Sequence, residues 1–166
     1  MIRSAKILEI PEILMLTQAC AQDMISRGIL QWNEHYPSAK VFTEDIKKDR
    51  LYVLEQDSKI IGIIALCTDI DEEYKAVTWL TDHDHSLYVH RLAVHPDHQG
   101  KGNARKLMDF AEQHARVHGF SSIRLDTFSQ NKRNQRFYEQ RGYTRLDDVY
   151  FLKQSSYPFH CYELCL

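Results

Sequence analysis

Residues 86–119 constrain the fold of this chain more than any other stretch. SLYVHRLAV reads as a strand and stops at Pro96, a glycine-flanked loop follows, and Gly102 to His118 reads as one amphipathic helix with Gly119 as its stop. Leu107, Phe110, Ala111, His114 and Ala115 recur at helical spacing and are expected to share its buried stripe. Glycine weakens a first helical turn, so its presence at the helix mouth predicts a close approach to the backbone. Helix N-termini offer unpaired N–H groups and a partial positive charge, and anions dock there. Gly100 and Gly102 fit that use, and Lys101, Arg105 and Lys106 add positive charge. The spacing is neither a Walker A loop nor a Rossmann fingerprint. The same glycines would equally serve a plain chain reversal.

The rest of the chain reads as an alternation of strands and helices. Residues 3–8 suggest a short strand. From Pro11 a helix is expected, with Ile13, Leu16, Cys20 and Met24 at helical spacing and Gly28 as a stop. Residues 29–42 look loop-like and aromatic, and a second helix is expected to start near Thr43. LYVLEQ and KIIGIIALC, joined by Asp57-Ser58, predict a hairpin. The polar stretch 69–86 reads as a sizeable loop. SIRLDTF is a strand, Asn131 is a candidate N-cap for a short helix, and 143–152 can pair with 159–166. The order predicts an α/β fold with a mixed sheet and helices on both faces.

At 166 residues one domain, 1–166, is expected, long enough for a core without staples. A formal charge of −2 gives no argument for a nucleic-acid binder, and no apolar run reaches the length of a membrane span. The N-terminus lacks the apolar core of a leader, which predicts a cytosolic protein. Cys20, Cys67, Cys161 and Cys165 form no C-x-x-C pair and are expected to be free and buried. His83 and His85 alternate with Asp82 and Asp84, but without second ligands at metal-site spacing this reads as a solvated loop, and no metal is expected.

Gln99, Gly102 and Ala104 fall on a Q/R-x-x-G-x-G/A pattern between strand and helix, and NKRNQRFYEQRGY follows about thirty residues later. On these residues the chain resembles the GNAT superfamily of acetyl-CoA-dependent N-acetyltransferases, best over 86–143, and GILQWNEHYP is similar to small bacterial members. The resemblance implies an α/β GNAT fold, a mixed and mostly antiparallel central sheet flanked by helices. It implies that the pyrophosphate of acetyl-CoA sits on Gln99, Gly100, Lys101, Gly102, Asn103 and Ala104. The pantetheine arm would pair with the backbone of Leu92, Ala93 and Val94 like an added strand. Asn131 would lie near that arm and Tyr138 beside the thioester sulfur. A homodimer is common among such relatives; neither nucleic acid nor membrane is an expected partner.

Direct acetyl transfer needs a neutral amine, a stabilised oxyanion and a protonated leaving thiolate. With a pKa of ~10.4, only about one lysine-like amine in 2,500 is neutral at pH 7, so a base, a water chain or desolvation must help. By the resemblance, the Val94 N–H is the oxyanion donor and Tyr138 the general acid. Phe137 beside Tyr138 is the better expectation for the core. His90 is expected on the same side of its strand as Tyr88 and Leu92 and is a candidate base, as are Glu34 and Asp126. Trp32, Tyr36, Tyr150 and Tyr157 could frame an amine by cation–π contact or simply pack. The expected activity is acetyl transfer from acetyl-CoA to a primary amine. A non-catalytic CoA-binding module and a transferase for a longer acyl group are the alternatives.

Overall fold

A computed structural model describes all of residues 1–166. In chain order the elements are β1 (Ile2–Ser4), α1 (Ile10–Ser26), α2 (Ala39–Lys47), β2 (Leu51–Gln56), β3 (Lys59–Cys67), β4 (Ser86–Val94), α3 (Asn103–Val117), β5 (Ser122–Phe128), α4 (Lys132–Gln140), β6 (Thr144–Val149) and β7 (Phe159–Cys165). The strands are ordered β1-β2-β3-β4-β5-β7-β6. Pairing is mostly antiparallel, with β4 and β5 parallel. The expected mixed α/β class is therefore observed. The chain forms two compact units, residues 1–66 with 90–111 and residues 67–89 with 112–166, and β4 contributes to both.

In the first unit, β2 and β3 form the expected hairpin, with Gln56 opposite Lys59. Asp57 and Ser58 both take positive φ, 50° and 60°, as a two-residue turn matching strand twist requires. Every residue of β3 after Lys59 is buried. Gly62 is placed by packing: a Cβ there would lie 3.0 Å from Leu107 Cδ1 and 3.1 Å from the Ala93 carbonyl oxygen. A glycine inside a strand thus lets α3 close on the sheet. Ile13, Leu16, Cys20 and Ala21 of α1 are buried as the spacing predicted, whereas Met24 is half-buried.

Several expected boundaries move, each for a local reason. The strand expected over 3–8 ends at Ser4, because Arg3 binds both Glu9 and Glu55 and Lys6 N–H donates to Glu9 Oε2 (2.8 Å), so 7–9 turn instead. Helix α2 starts at Ala39, four residues earlier than Thr43, because the Ser38 hydroxyl caps it by accepting from Val41 N–H at 3.3 Å. On α3 the fully buried residues are Leu107, Met108, Ala111 and Ala115; Phe110 and His114 are only half-buried. The stripe is rotated toward Met108, with Phe110 set at its flank against Tyr52, ring centres 4.9 Å apart.

In the second unit, Ser86, Leu87 and Tyr88 run parallel to Ser122, Ile123 and Arg124. β5 pairs antiparallel with β7 along its whole length, and β7 carries β6. The stretch 69–86 is structured: 3-10 turns occupy 72–76 and 83–85. It covers Arg124, which has no exposed surface although it alternates with Ile123 and Leu125 on what reads as a polar strand face. Arg124 Nε lies 3.1 Å from Glu163 Oε1, its NH1 is 2.9 Å from His83 Nδ1, and its guanidinium sits 4.6 Å over the Trp79 ring. Burial works to raise the Glu163 pKa, but hydrogen bonds from Thr81, Ser122, the Leu80 N–H and Arg124 outweigh it and hold the carboxyl below its ordinary range. All four cysteines are free; Cys165 is exposed rather than buried. No helix is long and apolar enough to cross a membrane.

Candidate active site

The helix mouth has the backbone form its glycines suggested. Gly100 and Gly102 take φ of 72° and 79°, where side chains are strained, and a Cβ at either would meet nothing within 4 Å. Open space therefore faces the backbone at both positions. Side chains brace the loop from within. Gln99 Nε2 donates to the Val94 carbonyl at 3.0 Å, Lys101 Nζ to the Asp97 carbonyl at 2.8 Å, and Asn103 Nδ2 to the His98 carbonyl at 2.9 Å. Cys20 Sγ also donates to the Val94 carbonyl, at 3.2 Å. Helix α3 starts immediately behind, at Asn103, with Ala104 in its first turn.

Upstream, β4 is not a regular strand. Arg91 takes φ of 51° in the middle of it. A non-glycine residue there costs about 1–2 kcal/mol, which its environment must offset. Asp45, buried on α2, does so by accepting from Arg91 Nε at 2.7 Å and NH2 at 2.9 Å. The period-two rule consequently does not carry across Arg91, and the expected grouping of His90 with Leu92 on one side does not follow. Leu92 is half-buried; Ala93 and Val94 are buried. Burial, with Arg91 and Arg50 nearby, lowers the His90 pKa to about 3, so the imidazole is neutral at pH 7.

In the turn after α1, the Asn33 side chain accepts from the His35 and Tyr36 N–H groups at 2.8 and 3.0 Å. This fixes three predicted residues differently. Trp32 is buried, Glu34 stands in solvent beside His35 with 84% of its side chain exposed, and Tyr36 is half-buried with its hydroxyl 3.5 Å from Arg91 NH1.

The second unit holds the remaining titratable groups. Asp126 on β5 accepts a hydrogen bond at Oδ2 from the Tyr74 hydroxyl. Burial raises the Asp126 pKa to about 7; the Tyr74 bond opposes that shift, and Asp71 and Glu73 add to it. Tyr138 on α4 is buried and Phe137 only half-buried, reversing the expectation that Phe137 is the core residue. The Tyr138 ring is wedged between Tyr143 and Tyr162, at 5.8 and 6.0 Å. Burial raises its pKa, and the charge of Asp126 adds to the rise. Asn131 caps α4, its Oδ1 accepting from Asn134 N–H at 3.2 Å, as expected. Tyr150 and Tyr157 are more than half exposed, and Tyr157 sets its ring edge-on to Phe128 at 6.3 Å.

Sequence reasoning missed Tyr74 because it lies in the polar stretch read as loop. A tyrosine and a tryptophan five residues apart in such a stretch were the available clue that it is anchored. Arg91 and Asp45 gave no clue, since only the fold brings them together.

Residues 15–143 match the acetyltransferase (GNAT) family. The chain belongs to that family. It is thus an acetyltransferase by class. It is similar to an uncharacterised N-acetyltransferase, YesJ, of Bacillus subtilis strain 168, with 25% identity over 146 residues, 86% of this chain and 77% of the relative. Among solved structures, a GNAT-family acetyltransferase from Streptococcus agalactiae 2603 superposes with a TM-score of 0.80 at 22% identity, covering 100% of this chain and 95% of the other. The PaiA N-acetyltransferase of Thermoplasma acidophilum, solved with coenzyme A, gives 0.72 at 17% identity, with 100% and 98% covered. At these identities the two structures speak for the fold.

Proposed function

We propose that residues 1–166 work as one domain that moves the acetyl group of acetyl-CoA to a primary amine by direct attack. The observation that carries this reading is the loop before α3, where Gly100 and Gly102 take φ of 72° and 79° with open space over both, directly ahead of a helix N-terminus. The base is sought among the buried carboxyls, and burial pushes Asp126 up to about 7. A base is most useful when its pKa lies near the working pH. On that ground Asp126 is assigned as base ahead of His90, whose pKa of about 3 makes it a weak proton acceptor, and Glu34, which stands in solvent.

The loop supports cofactor binding because the space before Gly100 and Gly102 is what a phosphate needs to reach backbone N–H groups. Gln99, Lys101, Asn103 and Ala104 complete that cradle. The backbone of Leu92, Ala93 and Val94 and the Asn131 side chain are assigned to the pantetheine arm, and Trp32 and Tyr36 to the acceptor side. In the reaction the amine nitrogen bonds to the acetyl carbonyl carbon, and the displaced electron pair on oxygen is held by the Val94 N–H. Asp126 takes the proton that the nitrogen loses. The carbonyl reforms, the C–S bond breaks, and Tyr138 gives the thiolate its proton. Net return of one proton from Asp126 to Tyr138 resets the enzyme.

The test is a thiol-release screen with acetyl-CoA over a broad amine library. Amine-dependent CoA release is expected. Tight CoA binding by calorimetry with no turnover on any amine would instead make the chain a CoA-binding module.

A further inference from the structure

We propose that Tyr74 is a positioning residue for acetyl transfer: its hydroxyl holds Oδ2 of Asp126, leaving Oδ1 as the oxygen that exchanges the amine's proton. This rests on Asp126 being the base. Tyr74 has no exposed surface. Its ring lies 5.3 Å from Trp79 and 5.8 Å from Tyr88, and Trp79 Nε1 donates to the Tyr74 carbonyl at 2.9 Å, so backbone and ring are both fixed. The hydroxyl therefore reaches Asp126 from a rigid base, although the residue sits on a 3-10 turn in a long connection.

The direction of the bond follows from chemistry. Burial first, and then the charge of Asp126, push the Tyr74 pKa well above the ordinary tyrosine value. Tyr74 thus keeps its proton near neutral pH and donates it to the Asp126 carboxylate in a hydrogen bond. A carboxylate that receives one fixed donor keeps its charged form more easily, against burial and against the negative charges of Asp71 and Glu73. The other titratable groups coupled to Asp126 are Tyr138 on α4 and Cys161 on β7, both held neutral by burial. Tyr74 is accordingly a neutral donor that offsets the groups raising the Asp126 pKa, and the position of the acidic limb of turnover is expected to depend on it.

The experiment compares kcat against pH at saturating amine and acetyl-CoA for wild type, Tyr74→Phe and Asp126→Asn. Phenylalanine keeps the ring between Trp79 and Tyr88. Tyr74→Phe is expected to move the acidic limb of kcat to higher pH, so that activity falls roughly tenfold further at pH 6 than at pH 8.5, on the scale of a lost hydrogen bond to a charged group. The KM for acetyl-CoA should stay near wild type. If the limb stays in place in Tyr74→Phe while Asp126→Asn removes it, Tyr74 is a packing residue and the inference is overturned with the base assignment intact. If Asp126→Asn keeps the wild-type limb and kcat, the base assignment fails and the inference fails with it. Should Tyr74→Phe not fold, difluorotyrosine placed at 74 keeps the ring and sharpens the donor. The limb must then move to lower pH, and an unmoved limb overturns the inference.

Discussion

At Tyr138 two demands meet in one side chain: the ring is packed between Tyr143 and Tyr162, and the hydroxyl is the proposed proton donor. Burial and the charge of Asp126 raise its pKa, which secures the proton at neutral pH but makes the group a weaker acid. CoA's thiol resembles a cysteine's, with a pKa of ~8.5, so its thiolate leaves tolerably even without help. Tyr138→Phe should then lower kcat by about 10²-fold, within the usual range for a lost general acid, and leave the acetyl-CoA KM nearly unchanged. Steady-state kinetics under conditions where chemistry limits the rate will decide this. Wild-type kcat would reduce Tyr138 to a packing residue. Neither its burial nor the half-exposure of Phe137 could be read from FYEQ, because two adjacent aromatic residues on a short helix are interchangeable until the neighbouring strands are placed.

Among the elements, the loop before α3 and the segment covering β5 carry the sharpest expectations. Gly102 takes φ of 79°, so any side chain there is strained, and its Cβ would enter the open space proposed for the phosphate. Gly102→Ala is expected to weaken CoA binding at least tenfold, about 1.4 kcal/mol, by calorimetry; unchanged affinity in a folded variant would remove the loop from the cofactor site. Over β5, Glu163→Gln leaves the Arg124 guanidinium buried without its counter-charge. Loss of one partner of a buried pair typically costs 3–5 kcal/mol, so denaturant unfolding should show a drop of that order, and a change under 1 kcal/mol would mean the pair contributes little. Elements whose hydrophobic period was unbroken, such as β2, β3 and β5, were legible in the sequence. Those decided by long-range pairing were not. The positive φ at Arg91 depends on Asp45, 46 residues away, and the burial of Arg124 depends on a segment without periodicity. The glycine loop was legible because its conformational need is local. The Tyr74–Asp126 pair, 52 residues apart, was not.

For the molecule as a whole, the two carboxylates Glu163 and Asp126 act on stability in opposite directions. Glu163 titrates below its ordinary pKa in the folded state, so its contribution is present above the unfolded value near 4.5 and is lost as pH falls through the folded one. Asp126 has its pKa raised from 3.8 to about 7. Between those values the folded chain holds a proton that the unfolded chain has released, so Asp126 favours folding below pH 4, and that contribution is lost as pH rises through 7. A base poised for turnover near neutrality is thus a buried charge above it, a local expense set against function. Asp126→Asn keeps the shape but cannot ionise. Its melting temperature relative to wild type should therefore be higher at pH 8 than at pH 5, while acetyl transfer falls at both. Thermal unfolding at the two pH values measures the difference directly. A stability difference between variant and wild type that is the same at pH 5 and pH 8 would show that Asp126 does not titrate in that interval, and the neutral-pH base would have to be sought elsewhere.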